Sequence, residues 1–341
     1  MTRSALCIPS DGRPFLDVFS RGRGGSPGSV GFSGAQIDEI RRTVGRTPEV
    51  MIKVTGGGQK IGAVAAHLSY ISQEGALELE TDEGLRVSEE GQKALLKDWH
   101  LELSSGQYRQ PALNGSARAL KLVHNIVLSM PAPTAPDKVL AAAKRFAREK
   151  FALKHQYALA LHTHQQHPHV HLVVKAEDYH GHRLHIDKAL LREWRQDFAR
   201  MMRDQGIAAN ATPRAVRGQS KRADKATVFW AHRRGSHVVR ERIKSIASEL
   251  STTGTVQDPA REKLHETRMA VVTGWMGIAD TLDTQGEIVL AGDVRYFASH
   301  LPPVLTDRER LAHEFIQHLK ATSAHSRGED PVRDRDAERS R

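Results

Sequence analysis

The spacing of hydrophobic residues changes period several times along this chain, and each change marks an element. Residues 50–54 read as a short strand, Thr55-Gly56-Gly57-Gly58 breaks it, and 61–72 carries apolar residues at helical spacing. The next stretch, 76–91, is acidic and alternating, with Asp82-Glu83-Gly84 as a turn between two short strands that form a projecting hairpin or a partner surface. Residues 120–130 form a buried strand ended by Pro131, and 136–150 is a basic amphipathic helix striped by Val139, Leu140, Ala143, Phe146 and Ala147. Two more apolar runs, 156–162 and 169–175, flank the polar, proline-ended loop 163–168. A helix over 187–205 follows, with Asp187 near its start, Gly206 at its end, and Leu190, Leu191, Trp194, Phe198 and Met201 along one side. This order predicts an α+β fold in which helices cover one face of a mostly antiparallel sheet. Beyond Lys221 the pattern is helical, over 238–250, 261–282 and 307–321.

Composition sharpens the division. Residues 1–48 are rich in Gly, Ser, Pro and Arg and predict a flexible basic leader; 49–220 form the α+β domain, 221–325 a helical accessory domain, and 326–341 a disordered charged tail. Hydrophobic residues at 39% permit a real core, and a net charge of +10 points to a polyanionic partner. Residues 115–220 hold 17 Lys and Arg against 8 Asp and Glu, so most of that charge lies in one third of the chain. Cys7 is the single cysteine, which rules out a disulfide framework and a thiolate zinc site. No apolar run reaches eighteen residues and the N-terminus has no apolar signal core, so a cytoplasmic protein without a membrane span is expected.

The positive third also holds the densest chemistry, His162 to His171, with five histidines in ten residues. On a strand, His169 and His171 project from the same face. If the two flanking runs pair antiparallel, His162 stands beside them, and three imidazoles leave open positions on Mg, Mn or Zn, as in a catalytic centre. The bland alternative is a surface histidine loop with adventitious metal affinity. Upstream, the strand, glycine-rich turn and helix around Gly56, Gly57, Gly58 and Lys60 offer a phosphate cradle of backbone N–H groups, although the Lys-Ser/Thr of a P-loop is missing. Tyr70 lies on that helix. A helical tyrosine is usually a packing residue, but a metal-dependent strand transferase needs a hydroxyl to hold the broken end, and Tyr157, Tyr179, Tyr108 and Tyr296 are less well placed, with Tyr179 the runner-up. Ser129, at a strand end, suits either a phosphate contact or a plain cap. Arg192, Arg214 and Arg217 are candidate DNA contacts, although helix-surface arginines such as Arg192 are more often solvated charge, and His124 reads as a structural histidine.

The run HTHQQHPHVHLVV resembles the three-histidine motif of conjugative relaxases of the MobA/VirD type, strand-nicking nucleases within the HUH endonucleases. Tyr70-Ile71-Ser72-Gln73-Glu74-Gly75 resembles their nucleophile motif, and Ser129-Met130-Pro131 their intervening Ser/Thr motif. The resemblance spans about residues 48–218 and implies a ferredoxin-like palm, with His162, His169 and His171 as ligands of a divalent metal, Mg or Mn before Zn. It implies Tyr70 as the nucleophile that nicks single-stranded DNA at a transfer origin. It further implies a 5′-phosphotyrosine, other relaxosome proteins and a type IV coupling protein as partners, and translocation with the DNA. The family usually has Asp where this chain has His164, which is then an orienting group, a further ligand or a base for the tyrosine hydroxyl. The tail resembles the secretion signals of some relaxases. A water-using metal-dependent hydrolase and a non-catalytic DNA-binding accessory protein are the competing readings.

Overall fold

The computed structural model describes residues 31–101, 120–219 and 237–326 apart from 255 and 257, together with the short strands Cys7–Ile8 and Arg13–Pro14. Most of the leader expected over 1–48, residues 327–341 of the expected tail, and Tyr108 lie outside the described residues. The chain divides into two compact units, Asp38–Thr212, and Met1–Ile37 with Pro213–Arg341.

The first unit is built on a six-stranded sheet in the order Met51–Gly56, Val123–Ser129, His169–Lys175, Tyr157–His162, Leu79–Thr81 and Arg86–Val87, with every neighbouring pair antiparallel. Two sequence expectations change in detail. The first strand runs on through the expected break to Gly56, which still pairs with Asn125 across a bulge after Val54. The acidic segment does not project as a separate hairpin, because Glu80 and Thr81 pair with Leu159 and Ala158 and extend the main sheet. At the opposite edge, Arg195 donates from Nη2 to the Ile52 carbonyl at 3.0 Å, and Val50 N–H bonds the Asn210 carbonyl at 2.9 Å.

Alternation along the strands sorts their side chains onto two faces. One face presents Ile52, Ile126, Leu128, Tyr157, Leu159, Val170, Leu172 and Val174 to the helices Pro136–Phe151 and Lys188–Asp204. Phe146 sits fully buried between those helices, with ring centroids 5.8 Å from Trp194, 6.1 Å from Phe151 and 6.2 Å from Phe198. The second helix starts at Asp187, whose side chain accepts the Leu190 N–H at 2.7 Å, the cap its sequence announces. The other face is made of small residues, Ala158 and Ala160 beside Val123 and Val173. Their low profile admits the helices Ile61–Ile71 and Glu89–Asp98, which contribute Val64, Leu68, Ile71 and Leu95, followed by Trp99. Glu89–Asp98 has no counterpart in the sequence reading, because Gln92 and Leu95 alone are buried on it and so thin a stripe gives no helical period.

The second unit contains the helices His237–Thr253, Ala260–Thr284, Ile288–Ser299 and Asp307–Ser326, the helical character expected there. Ile288–Ser299 is an addition to the expected set. It starts just past Gly286, whose φ of +83° ends the long preceding helix. Trp275 anchors this unit, fully buried, with Nε1 donating to the Val216 carbonyl at 2.9 Å and its ring 5.2 Å from Phe297.

His124 is structural, as expected: its Nε2 lies 3.2 Å from the Leu184 carbonyl. Burial above all, with Lys121 nearby, holds its pKa down at about 4. Between pH 6.5 and 4 the unfolded chain therefore takes up a proton that the folded one refuses, and stability falls as the pH drops through that window. Urea midpoints should decline across this window and decline less in His124→Gln. Phe146→Ala should cost about 3–5 kcal/mol by urea unfolding, whereas Leu153→Ala, at a side chain 93% exposed, should stay within about 0.5 kcal/mol.

Candidate active site

His162 and His169 pair directly across their strands and His171 follows two positions on, so the three rings share the alanine face just beyond its helical cover. Ring centroids are 4.5 Å apart for His162 and His171, 5.1 Å for His169 and His171, and 5.3 Å for His162 and His169. Backbone carbonyls fix the tautomers, since a carbonyl only accepts. His162 donates from Nε2 to the Ile71 carbonyl at 2.7 Å, and His169 from Nδ1 to the His167 carbonyl at 3.0 Å. His162 Nδ1 is left buried and without a partner, an arrangement expected of a metal ligand whose other nitrogen is held from outside.

Electrostatics keeps the lone pairs available. Burial first, then the neighbouring imidazoles, push His171 down to about 3, and burial also lowers His162. One ligand atom from each of His162, His169 and His171 lies within 4.8 Å of the other two. Three neutral nitrogens converging from one rigid sheet fit a divalent cation with open positions.

Tyr70 stands at the end of the helix Ile61–Ile71, 57% exposed, with its ring 5.9 Å from His171 and 6.4 Å from His162. It is on the rim of the histidine cluster and not a core residue. After it the chain turns sharply through Gln73 at φ +52°, Glu74 at +56° and Gly75 at +89°. At Gly75 the backbone lies in the left-handed region that side chains disfavour, so glycine is the residue suited to it. The two non-glycine residues cost about 1–2 kcal/mol each in this conformation. Holding them is the fully buried Ser72, whose hydroxyl donates to the Ser69 carbonyl at 3.0 Å and accepts from Gln92 Nε2 at 2.9 Å. The turn brings Gln73 Nε2 within 2.9 Å of His164 Nδ1. With the amide donating, His164 Nδ1 accepts and its remaining nitrogen carries the proton.

The other sequence candidates separate by location. Ser129 pairs in register with His169 and is buried beside it on the same face. His164 lies 5.1 Å from His162 between ring centroids but outside the converging set of three. Gly56, Gly57, Gly58 and Lys60 precede the tyrosine helix at its far end, about 15 Å from Tyr70 for an eleven-residue helix. A cradle there is remote from the Tyr70 hydroxyl and the histidine cluster. Gly57 and Gly58 also have a packing reason, since a Cβ would lie 2.2 Å from the Val123 carbonyl oxygen and 2.4 Å from Val64 Cγ2 respectively. Arg192 sits on Lys188–Asp204, over the face opposite the histidines. Arg214 and Arg217 fall in the second unit. Of the rival tyrosines, Tyr157 is buried on the opposite face, and the Tyr179 hydroxyl donates to Asp82 Oδ2 at 3.4 Å beyond the other end of the histidine strand.

Two residues at the site escape the sequence reading. His67, one turn before Tyr70, lies 6.0 Å from its ring and 6.3 Å from that of His171, with Nε2 buried and without a partner. Its spacing of three from Tyr70 on a helix is the available signal. Gln73 gives none, because its role depends on a left-handed turn.

An antiparallel sheet that sets three imidazoles beside a helix-borne tyrosine has the form of the HUH palm. Residues 89–207 match the family model of the MobA/VirD2-like relaxase nuclease domain. The match includes the histidines and Ser129 and begins after Tyr70. Among curated proteins, the chain is similar to the T-DNA border endonuclease VirD2 of Rhizobium radiobacter, 26% identical over 230 residues, covering 62% of this chain and 52% of that protein. It is also similar to the T-DNA border endonuclease VirD2 of Agrobacterium fabrum, 27% identical over 194 residues, covering 51% of this chain and 42% of that one. The chain thus spans about half the length of the curated relatives it matches.

Calorimetry with Mn²⁺ should find one site in the wild type, abolished in His169→Ala and His171→Ala. In His164→Ala the affinity should stay within about threefold, as expected of a residue outside the ligand set.

Proposed function

We propose that this chain is a site- and strand-specific DNA-nicking transesterase, a relaxase acting at the transfer origin of a plasmid or mobile element. The observation that carries the reading is the placement of the Tyr70 ring 5.9 Å from His171 and 6.4 Å from His162, on a helix whose terminal carbonyl holds a histidine of the cluster. The border-endonuclease names of its relatives support it.

A divalent ion held by His162, His169 and His171 would supply Lewis-acid polarisation of the scissile phosphate. An all-nitrogen donor set suits Mn or Zn better than Mg, which prefers oxygen ligands. The Tyr70 oxygen attacks phosphorus, the bond to the 3′ oxygen breaks, and the tyrosine proton passes through solvent to that leaving oxygen. The products are a 5′-phosphotyrosine and a free 3′-hydroxyl. One phosphodiester replaces another, so the step reverses without ATP. Ser129, beside His169, is suited to donate to a phosphate oxygen. With Nδ1 occupied by Gln73, His164 serves as a hydrogen-bond donor and not as the base for Tyr70.

Single-stranded DNA is the substrate of this reading. In this reading Gly56, Gly57, Gly58 and Lys60 contact backbone away from the nick, and Arg192, over the opposite face of the sheet, does not contact the reacting phosphate. Other relaxosome proteins and a type IV coupling protein are the partners, and the reaction takes place in the cytoplasm before transfer. No described helix is long and apolar enough to cross a membrane.

The test is a denaturing gel of protein incubated with Mn²⁺ and single-stranded oligonucleotides tiled across DNA flanking the gene. Wild type should give a shifted covalent band, Tyr70→Phe none, and His169→Ala a yield lower by at least about a hundredfold. Cleavage without an adduct would favour the water-using hydrolase, and binding without cleavage the accessory protein.

A further inference from the structure

The register of the sheet runs unbroken across four strands. Lys53, Val127, His171 and Ala160 form one lateral row, and Met51, Ser129, His169 and His162 the next. Directly paired residues project from one face, so the outer strand Met51–Gly56 continues the histidine face away from Tyr70. At the Ala160 end this face is roofed by the helices that carry Leu68, Ile71 and Leu95. At the other end it is open: Met51 is 46% exposed, Lys53 and Thr55 are exposed, and none of the three belongs to the core packed under those helices.

The open strip has a definite chemistry. The Thr55 hydroxyl is turned back onto the Asn125 carbonyl at 3.3 Å, and Met51 and Val127 are apolar, so the Lys53 ammonium is the cation in these two rows. Among the described residues Lys53 joins no ion pair. Neighbouring strands lie about 4.8 Å apart, which sets Lys53 about 10 Å from His171 along the row. A lysine stem spans about 6 Å, so its charge reaches a backbone about one or two phosphates from the histidine cluster. An apolar floor flanked by one mobile cation suits a single nucleic-acid strand, with sugars and bases over Met51 and Val127 and a phosphate on Lys53.

We propose that the strip of Met51, Lys53 and Thr55 is the track by which single-stranded DNA crosses the sheet to the histidines, with Lys53 pairing a phosphate beside the one at the cluster. This rests on the DNA-nicking reading and adds to it a contact residue and a direction of approach. Lys53 touches backbone and not bases, so its contribution is to affinity and not to sequence choice.

The experiment measures binding of a fluorescent single-stranded oligonucleotide to the full chain from 50 to 300 mM salt, for wild type, Lys53→Gln, Lys53→Arg and Lys138→Gln. Lys138 is on the helix Pro136–Phe151, over the opposite face. Lys53→Gln should flatten the slope of log affinity against log salt by about 0.7, the value for one lost single-strand phosphate contact, and weaken binding about three- to tenfold at 100 mM salt. Lys53→Arg should restore the slope, and Lys138→Gln should match wild type. Mn²⁺ affinity should be unchanged in all four. An unchanged slope in Lys53→Gln, or an equal loss in Lys138→Gln, would overturn the track. Wild-type protein that binds DNA but forms no adduct would sink the transesterase reading alone, with the slopes still deciding the role of Lys53. No binding by wild type would overturn both.

Discussion

One hydrogen bond organises the site, the 2.7 Å contact from His162 Nε2 to the Ile71 carbonyl. It joins the last turn of the tyrosine helix to the strand that carries the first histidine, through two residues 91 positions apart in the chain. Because a carbonyl accepts only, the contact also decides where the imidazole proton sits and frees Nδ1 for a ligand's role. The positions of the tyrosine and the histidine cluster are therefore one constraint and not two. The residues just past the helix serve it: the left-handed turn at Gln73 and Glu74 ends the helix at the point where the Ile71 carbonyl is exposed to the ring.

The sheet divides its labour between its faces. Large aromatics, centred on Phe146 and Trp194, seal one side and give the strands a rigid backing. On the other side, Ala158 and Ala160 leave room for a helix to lie close, which lets a tyrosine on that helix stand over histidines on the strands. Larger residues at the two alanines would lift the helix and with it the carbonyl that holds His162. The site thus depends on small side chains that take no part in any chemistry.

Much of this is legible from the chain alone where local periodicity carries the information. Period-two spacing places His169 and His171 on one face, pairing of their strand with its neighbour adds His162, and the amphipathic stripes of the two backing helices are plain in Val139 to Ala147 and Leu190 to Met201. Features set by tertiary contact are not. The helix Glu89–Asp98 buries too few apolar residues to show a period, and the glycine turn reads as a phosphate cradle although two of its glycines are demanded by Val123 and Val64. Gln73 and Lys53 look like ordinary surface residues. The first gains its place from backbone conformation, the second from a register across four strands that no single stretch encodes.

The guanidinium of Arg195 on the Ile52 carbonyl has a bearing on how the molecule behaves in a crowd. An outer strand with free carbonyls is a template on which a second copy can add its own strand, and here that edge borders the very face left open beside the histidines. By occupying a carbonyl of the edge with a fixed positive charge, and by tying Val50 to Asn210, the fold denies a newcomer the ladder it would need. The open face can stay bare without becoming sticky. The border beside the open face is thus guarded against strand addition by the same few contacts that fix its position.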